Sequence, residues 1–152
     1  MQTGSINYYY GKGKGKTLLC IGQGIRYVSN NKVVFMIQFC KSVFSNEKNV
    51  FDCMEPDFKI FKFDKYGIDS VEKKAETDVA FCFTKKILET GECDVLILDG
   101  ILDVIKLGYI DKDVFIQELL ERSDGINVYI TSEEADQDIL KISDYSSEIN
   151  IK

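Results

Sequence analysis

Seven consecutive residues, Gly11-Lys12-Gly13-Lys14-Gly15-Lys16-Thr17, alternate glycine with lysine and close on a hydroxyl. Glycine at every second position lets the backbone take positive φ and turn its N–H groups to one side, which is how a loop grips an anion. A helix beginning near Gly15 adds the positive end of its dipole. Lys16 then reaches phosphate oxygens, and Thr17 sets its hydroxyl against a magnesium ion. The chemistry implied is the holding of a nucleoside triphosphate by residues 11–17. A glycine-rich run can also be a plain surface turn. Against that, three lysines fall within five residues of a chain whose net charge is -6, between a strand-like and a helix-like segment. Three residues separate Gly11 from Gly15 where the common phosphate loop has four, and Tyr10 precedes them.

A site of this kind draws a carboxylate for magnesium from the end of a second strand. Val95-Leu96-Ile97-Leu98-Asp99 has that form, and Asp99 with Thr17 is the expected metal pair. Other chemistry is narrowed by what the chain lacks. With no histidine there is no imidazole base and no Ser/His/Asp or Cys/His arrangement, so proton transfer would fall to carboxylates or lysines. Cys20, Cys40, Cys53, Cys82 and Cys93 are odd in number, scattered, and never spaced Cys-x-x-Cys. They read as reduced, mostly buried apolar residues, and a zinc site is not expected. Catalysis on such a chain rests on positioning and charge.

The elements that must hold these residues follow from periodicity. Short β-branched and aromatic runs alternate with longer helical patterns, which predicts an α/β fold with a mainly parallel central sheet covered on both faces, a three-layer sandwich. Ile6 to Tyr10, Val33 to Phe39, Asp94 to Leu98 and Ile126 to Thr131 read as strands, Phe58 to Phe63 as a weaker one, and Ser147 to Ile151 as an edge strand. Gly15 to Val28 carries Leu18, Ile21, Gly22, Ile25 and Val28 at helical spacing; Val71, Ala75, Val79, Phe83 and Ile87 step by four through a long middle helix. Asp111 is a predicted N-cap before Val114 to Leu120, and Thr131 with Glu134 has the form of a capping box before a last helix bearing Ile139 and Leu140. Ser42 to Pro56 is polar and aperiodic, and is expected to be a surface loop able to act as a lid.

The 152 residues suit one domain spanning the chain. The acidic balance predicts no attraction to nucleic acid or to an anionic membrane surface. No apolar run approaches the ~18 residues of a membrane span. Met1 to Tyr10 lacks the basic-then-apolar layout of a secretory leader, so a cytoplasmic protein is expected.

The shortened loop after Tyr8-Tyr9-Tyr10 resembles that of the ATP:corrinoid adenosyltransferases, which move adenosyl from ATP onto the cobalt of vitamin B12 precursors. Further matches follow in order. Arg26 falls at the family's helix arginine, and Gln38-Phe39 with Lys41 is similar to its Gln-Phe-x-Lys. Leu98-Asp99 is similar to its strand end, Lys106-Leu107-Gly108-Tyr109-Ile110-Asp111 to its lysine-tyrosine-glycine-x-leucine-aspartate stretch, and Asp144 to its aspartate before the last strand. The resemblance implies a P-loop NTPase-like fold, a homodimer, and MgATP bound in a reversed orientation with release of triphosphate. It implies ATP and a corrinoid as substrates, Mg2+ as cofactor, and a reductase that delivers electrons to cobalt. It also implies Lys14, Lys16 and Arg26 neutralising the leaving phosphates, with Thr17 and Asp99 at the metal.

Three departures stand beside these matches. Gly100 occupies the position where the family has glutamate after its aspartate. Thr131-Ser132-Glu133 stands for the family's threonine-glycine-arginine, so a cation is replaced by an acid. No tryptophan exists to match the family's aromatic loop near the corrinoid; Phe63 and Tyr66 lie in that stretch and read first as packing residues. Two other functions therefore stay open: a nucleotide-binding sensor or partner-binding module without transferase activity, and a small P-loop hydrolase in which Glu133 or Asp103 would orient water.

Overall fold

A computed structural model describes residues 4–40 and 52–152. The loop expected over Ser42 to Pro56 lies, up to residue 51, outside the described residues. The elements run β1 (Ile6–Tyr10), α1 (Lys16–Ser29), β2 (Val34–Gln38), β3 (Phe58–Lys62), α2 (Lys73–Thr90), β4 (Val95–Asp99), α3 (Ile101–Lys106), α4 (Lys112–Leu120), β5 (Asn127–Ser132), α5 (Gln137–Ile142) and β6 (Tyr145–Glu148). The six strands form one sheet in the order β3-β2-β4-β5-β1-β6. Every pairing is parallel, so the sheet goes further than the mainly parallel one expected.

Alternate side chains of each inner strand enter two separate cores. Ile37, Leu96, Leu98, Val128, Ile130 and Tyr8 face α2 to α5, meeting Ala80, Leu102, Phe115 and Ile139. Val34, Met36, Val95, Ile97 and Tyr129 face α1, meeting Cys20 and Ile21. This is the α/β three-layer arrangement, and it explains why β4 is apolar at four consecutive positions: a strand covered on both faces has no solvent side.

The helix faces differ from the predicted ones. In α2 the buried residues are Lys73, Thr77, Ala80, Thr84, Ile87 and Leu88, whereas Val71 and Val79 are 89% and 61% exposed. Residues four apart drift by about 40° around a helix of 3.6 residues per turn, so a strict four-step stripe winds off one face within two or three steps. In α1 the buried residues are Cys20, Ile21 and Gly24, while Leu18, Leu19 and Ile25 lie outward. A Cβ on Gly24 would come 2.4 Å from the Phe58 ring. Cys20 and Gly24, with Ile21, set the inward face there.

Asp111 caps α4, its carboxylate accepting from the N–H groups of Asp113 and Val114. The capping box of Thr131 and Glu134 does not form: β5 continues through Ser132, and Asp136 caps α5 through the N–H groups of Asp138 and Ile139. The edge strand begins earlier than predicted because Asp144 locks onto β1, its Oδ2 accepting from Ile6 N at 2.8 Å and its N–H donating to Ile6 O at 2.8 Å. Among the described residues, no helix is long and apolar enough to cross a membrane.

Cys20 and Cys93 are buried, Cys40 is partly so, and Cys53 and Cys82 are exposed. Burial pushes the Cys93 thiol up to about 12 from an ordinary 9.0. A thiol raised in this way contributes stability that is complete below pH 9 and is lost as pH climbs toward its folded value, at up to about 1.4 kcal/mol per pH unit. Urea midpoints measured from about pH 8 to 11 should fall, and Cys93→Ala should make that fall shallower.

Candidate functional site

Because all strands run the same way, the loops leaving their carboxyl ends share one edge of the sheet, where open parallel sheets bind ligands. The glycine-lysine loop leaves β1 at that edge. Gly11 and Gly15 take φ of +116° and +104°, which L side chains avoid. Helix α1 then starts with no side-chain cap and no acidic residue in its first turn. Its first N–H groups and dipole are thus left for an anion. The Lys16 ammonium folds back over the loop and donates to Gly11 O at 2.6 Å and Gly13 O at 2.7 Å.

The glycines also serve a purpose the sequence reading missed. Gly11 N–H donates to Glu133 O at 3.1 Å, and Gly13 N–H to Ile149 O at 2.8 Å. A Cβ on Gly11 would stand 2.2 Å from the Ile149 carbonyl oxygen. The segment after β6 passes so close that only hydrogen fits, and it takes one of the N–H groups that spacing alone would assign to phosphate.

Asp99 ends β4 beside this loop. Thr17 Oγ1 donates to its two oxygens at 3.0 and 3.1 Å, and Thr131 Oγ1 donates at 2.8 Å. Thr131 also accepts from Gly100 N–H, so it anchors the turn into α3 as well as the carboxylate. Asp99 is only 9% exposed. Burial raises its pKa, opposed by hydrogen bonds from Thr131, Thr17 and Gln38 and by the charge of Lys16. Among the described residues no three His, Cys, Asp or Glu side chains converge on a metal site. A cation here would be held by few protein groups and share its ligands with phosphate and water, which is the manner of magnesium. Thr17 and Asp99 fit that role: a hydroxyl and a buried carboxylate in contact, whose surrounding donors are mostly neutral.

The sign of the Asp99 shift predicts a trade. A carboxyl with a raised folded pKa contributes stability at acid pH that is lost as pH rises through that pKa, so at pH 7 its charge is a cost. Asp99→Asn should raise the melting temperature of nucleotide-free protein by a few degrees at pH 7, with the gap to wild type closing as pH falls toward 4. If magnesium and ATP bind here, the same variant should lose the extra stabilisation that magnesium adds.

Gln38 ends β2 directly opposite Asp99 in the sheet register. It is 3% exposed, and among the described residues nothing donates to its Oε1. Lys73, on the inner face of α2, is 1% exposed and donates to Phe39 O, Phe63 O and Glu76 Oε1 at 2.5, 2.8 and 2.9 Å. Glu76 in turn accepts from Lys65 N–H at 3.1 Å. This cation ties the ends of β2 and β3 to α2, and sequence reasoning passed over it. Its Glu76 partner at i+3 was the available signal.

The other expected residues separate into groups. Lys12 and Lys14 project into solvent from the loop. Arg26, grouped by resemblance with Lys14 and Lys16, is not brought to them within this chain. It stands ten residues along α1 from Lys16, about 15 Å of helical rise, exposed beside Gln23, Tyr27 and Asn30. Gly100 takes φ +80° and opens α3. Glu133 is exposed and contributes its backbone carbonyl to the loop. Phe63 packs on Phe83, with ring centroids 6.4 Å apart. Next to the loop an open cleft of about 680 Å³ runs between α3 and residues 132–136, with Cys40, Ile68, Asp103 and Lys106 on its walls.

Compared with known proteins, residues 2–152 match the family described as ATP:corrinoid adenosyltransferase BtuR/CobO/CobP. The chain belongs to that family. It is also 25% identical over 165 residues to a protein named "Uncharacterized protein all2391" from Nostoc sp. (strain PCC 7120), with 97% of this chain and 44% of that protein covered. The chain thus spans less than half the length of that relative. Membership agrees with the P-loop-like α/β architecture that goes with this family type. Within that type, the sequence of this member brings Gly100 and Glu133 to the site edge.

Proposed function

We propose that this adenosyltransferase-family protein moves the adenosyl group of ATP onto the cobalt of a reduced corrinoid and releases triphosphate. Cobalt(I) supplies the electron pair for the new cobalt–carbon bond. The bond between the ribose 5′ carbon and the triphosphate oxygen breaks, and the triphosphate leaves with that bond's electrons while cobalt becomes formally cobalt(III). No proton need move, which suits a chain without histidine. What is required is alignment of the 5′ carbon with cobalt and stabilisation of the charge that grows on the leaving oxygens.

The observation that carries this reading is the meeting of Lys16, Thr17 and Asp99 at the start of an uncapped helix, in a chain that matches the family along its length. In the proposal Lys16 swings from the Gly11 and Gly13 carbonyls to the leaving phosphates, with Lys14 beside it, and the N–H groups opening α1 hold phosphate oxygens. Thr17 and Asp99 would hold magnesium, which supplies charge neutralisation of the triphosphate when bound. A homodimer and a separate reductase belong to the same proposal. Leu18, Leu19 and Ile25, exposed on the outer side of α1, favour a partner surface.

The test is purified protein with MgATP and cob(I)alamin or a cob(I)inamide precursor under strict reduction. Both the cobalt–carbon absorption spectrum and free triphosphate should appear in equal amounts. ATP-induced stabilisation without product would favour the nucleotide-binding module, for which Gly100 and Glu133 are the motive. Phosphate release without corrinoid would favour a hydrolase.

A further inference from the structure

We infer that Asp103 and Gln38 complete the magnesium–phosphate site around Asp99, Asp103 supplying a second carboxylate from the first turn of α3. The inference rests on the proposed MgATP reading of that site. Gly100 directly follows Asp99, and a Cβ built on it would lie 3.7 Å from Asp103 Oδ2. The space that a side chain at residue 100 would enter is bordered by Cys40, whose Sγ would be 3.3 Å away, and by the Asp103 carboxylate. Asp103 is half-buried, and the charges that act on it include those of Asp99 and Lys16. It thus lies within electrostatic reach of Asp99 and of the loop lysine. The carboxylate also accepts from the Glu133 backbone N–H, which keeps it turned toward the loop.

Gln38 is an independent indication that something is bound there. Its side chain reaches Asp99, yet its Oε1 is buried and finds no donor among the described residues. Native interiors seldom leave such an acceptor unmatched. A water on the cation, held between Asp99 and phosphate, would supply the missing donor, and partners of this outer kind orient metal ligands.

ATP affinity, measured by calorimetry with magnesium and again with EDTA, separates the possibilities. Asn at 103 keeps an acceptor for Glu133 N–H and removes only the charge. Asp103→Asn should bind metal-free ATP at least as tightly as wild type, because a carboxylate facing bare phosphates repels them. Its gain in affinity from magnesium should shrink by at least about tenfold. Gln38→Met should reduce the magnesium gain by severalfold. If Asp103→Asn weakens binding equally in both conditions, Asp103 only holds the loop and the inference fails. It fails equally if both variants keep the full magnesium gain. Absence of ATP binding by wild type in either condition would overturn the nucleotide reading, and this inference with it.

Discussion

Lys16→Ala should reduce adenosyl transfer by at least about a hundredfold in kcat/KM, since one preorganised donor at a developing anion is commonly worth 10²–10³ in rate. Lys16 rests on two loop carbonyls, at 2.6 and 2.7 Å, and exchanges these acceptors for phosphate oxygens when the nucleotide binds in the proposed manner. The loss should not come from unfolding. Truncation leaves the Gly11 and Gly13 carbonyls to regain water through the space it opens, for a cost of about 1 kcal/mol. Triphosphate release and unfolding midpoints, measured on the same preparation, check both halves. Lys16→Arg should rescue poorly, because a planar guanidinium cannot occupy the point between two carbonyls that an ammonium fills. Near-normal turnover in Lys16→Ala would remove the loop from the chemistry.

Lys73→Met should be the most destabilising of these substitutions, by about 3–5 kcal/mol, the usual result of removing one partner from a buried pair. The side chain is 1% exposed and satisfies two backbone carbonyls as well as Glu76, itself 10% exposed. Removing it leaves three acceptors without their donor, one of them charged. For a chain of this size the change corresponds to a drop in melting temperature of roughly 10 °C. Lys74→Ala serves as the control. Its ion pair with Asp78 is about half exposed on both sides, and such pairs contribute about 0–1 kcal/mol. Since Phe39 follows Gln38, Lys73→Met should also weaken the magnesium dependence of ATP binding even where the protein remains folded.

The contrast between Lys16 and Lys73 shows what could be read ahead of the fold. The place of Lys16 at the carboxyl edge of the sheet was legible because the motif is local: glycine spacing, a lysine and a hydroxyl are adjacent in sequence, and the helix they open is adjacent too. Asp99 was legible for a related reason. A strand buried on both faces must be continuously apolar, so a carboxylate at its end is conspicuous. Lys73 carried no such signal, because lysine on a helix is ordinarily solvated and its three acceptors come from positions 39, 63 and 76. The missed helix faces share that cause. Exposure of Val79 and burial of Thr84 depend on which side of α2 meets the sheet, and a four-step stripe alone does not determine that.

By itself the sequence determined the α/β class, the order of the strands and of every helix but α3, and the loop and strand end that meet at the carboxyl edge of the sheet. These are consequences of periodicity and of backbone freedom at glycine, both properties of neighbouring residues. Only the tertiary structure decided that Thr131 serves Asp99 rather than capping a helix, and that Ile149 takes the Gly13 N–H. It likewise set Asp103 and Cys40 around the space above Gly100. Each of these turns on contacts between segments distant in the chain, where parallel pairing and packing register, rather than residue type, choose the partner.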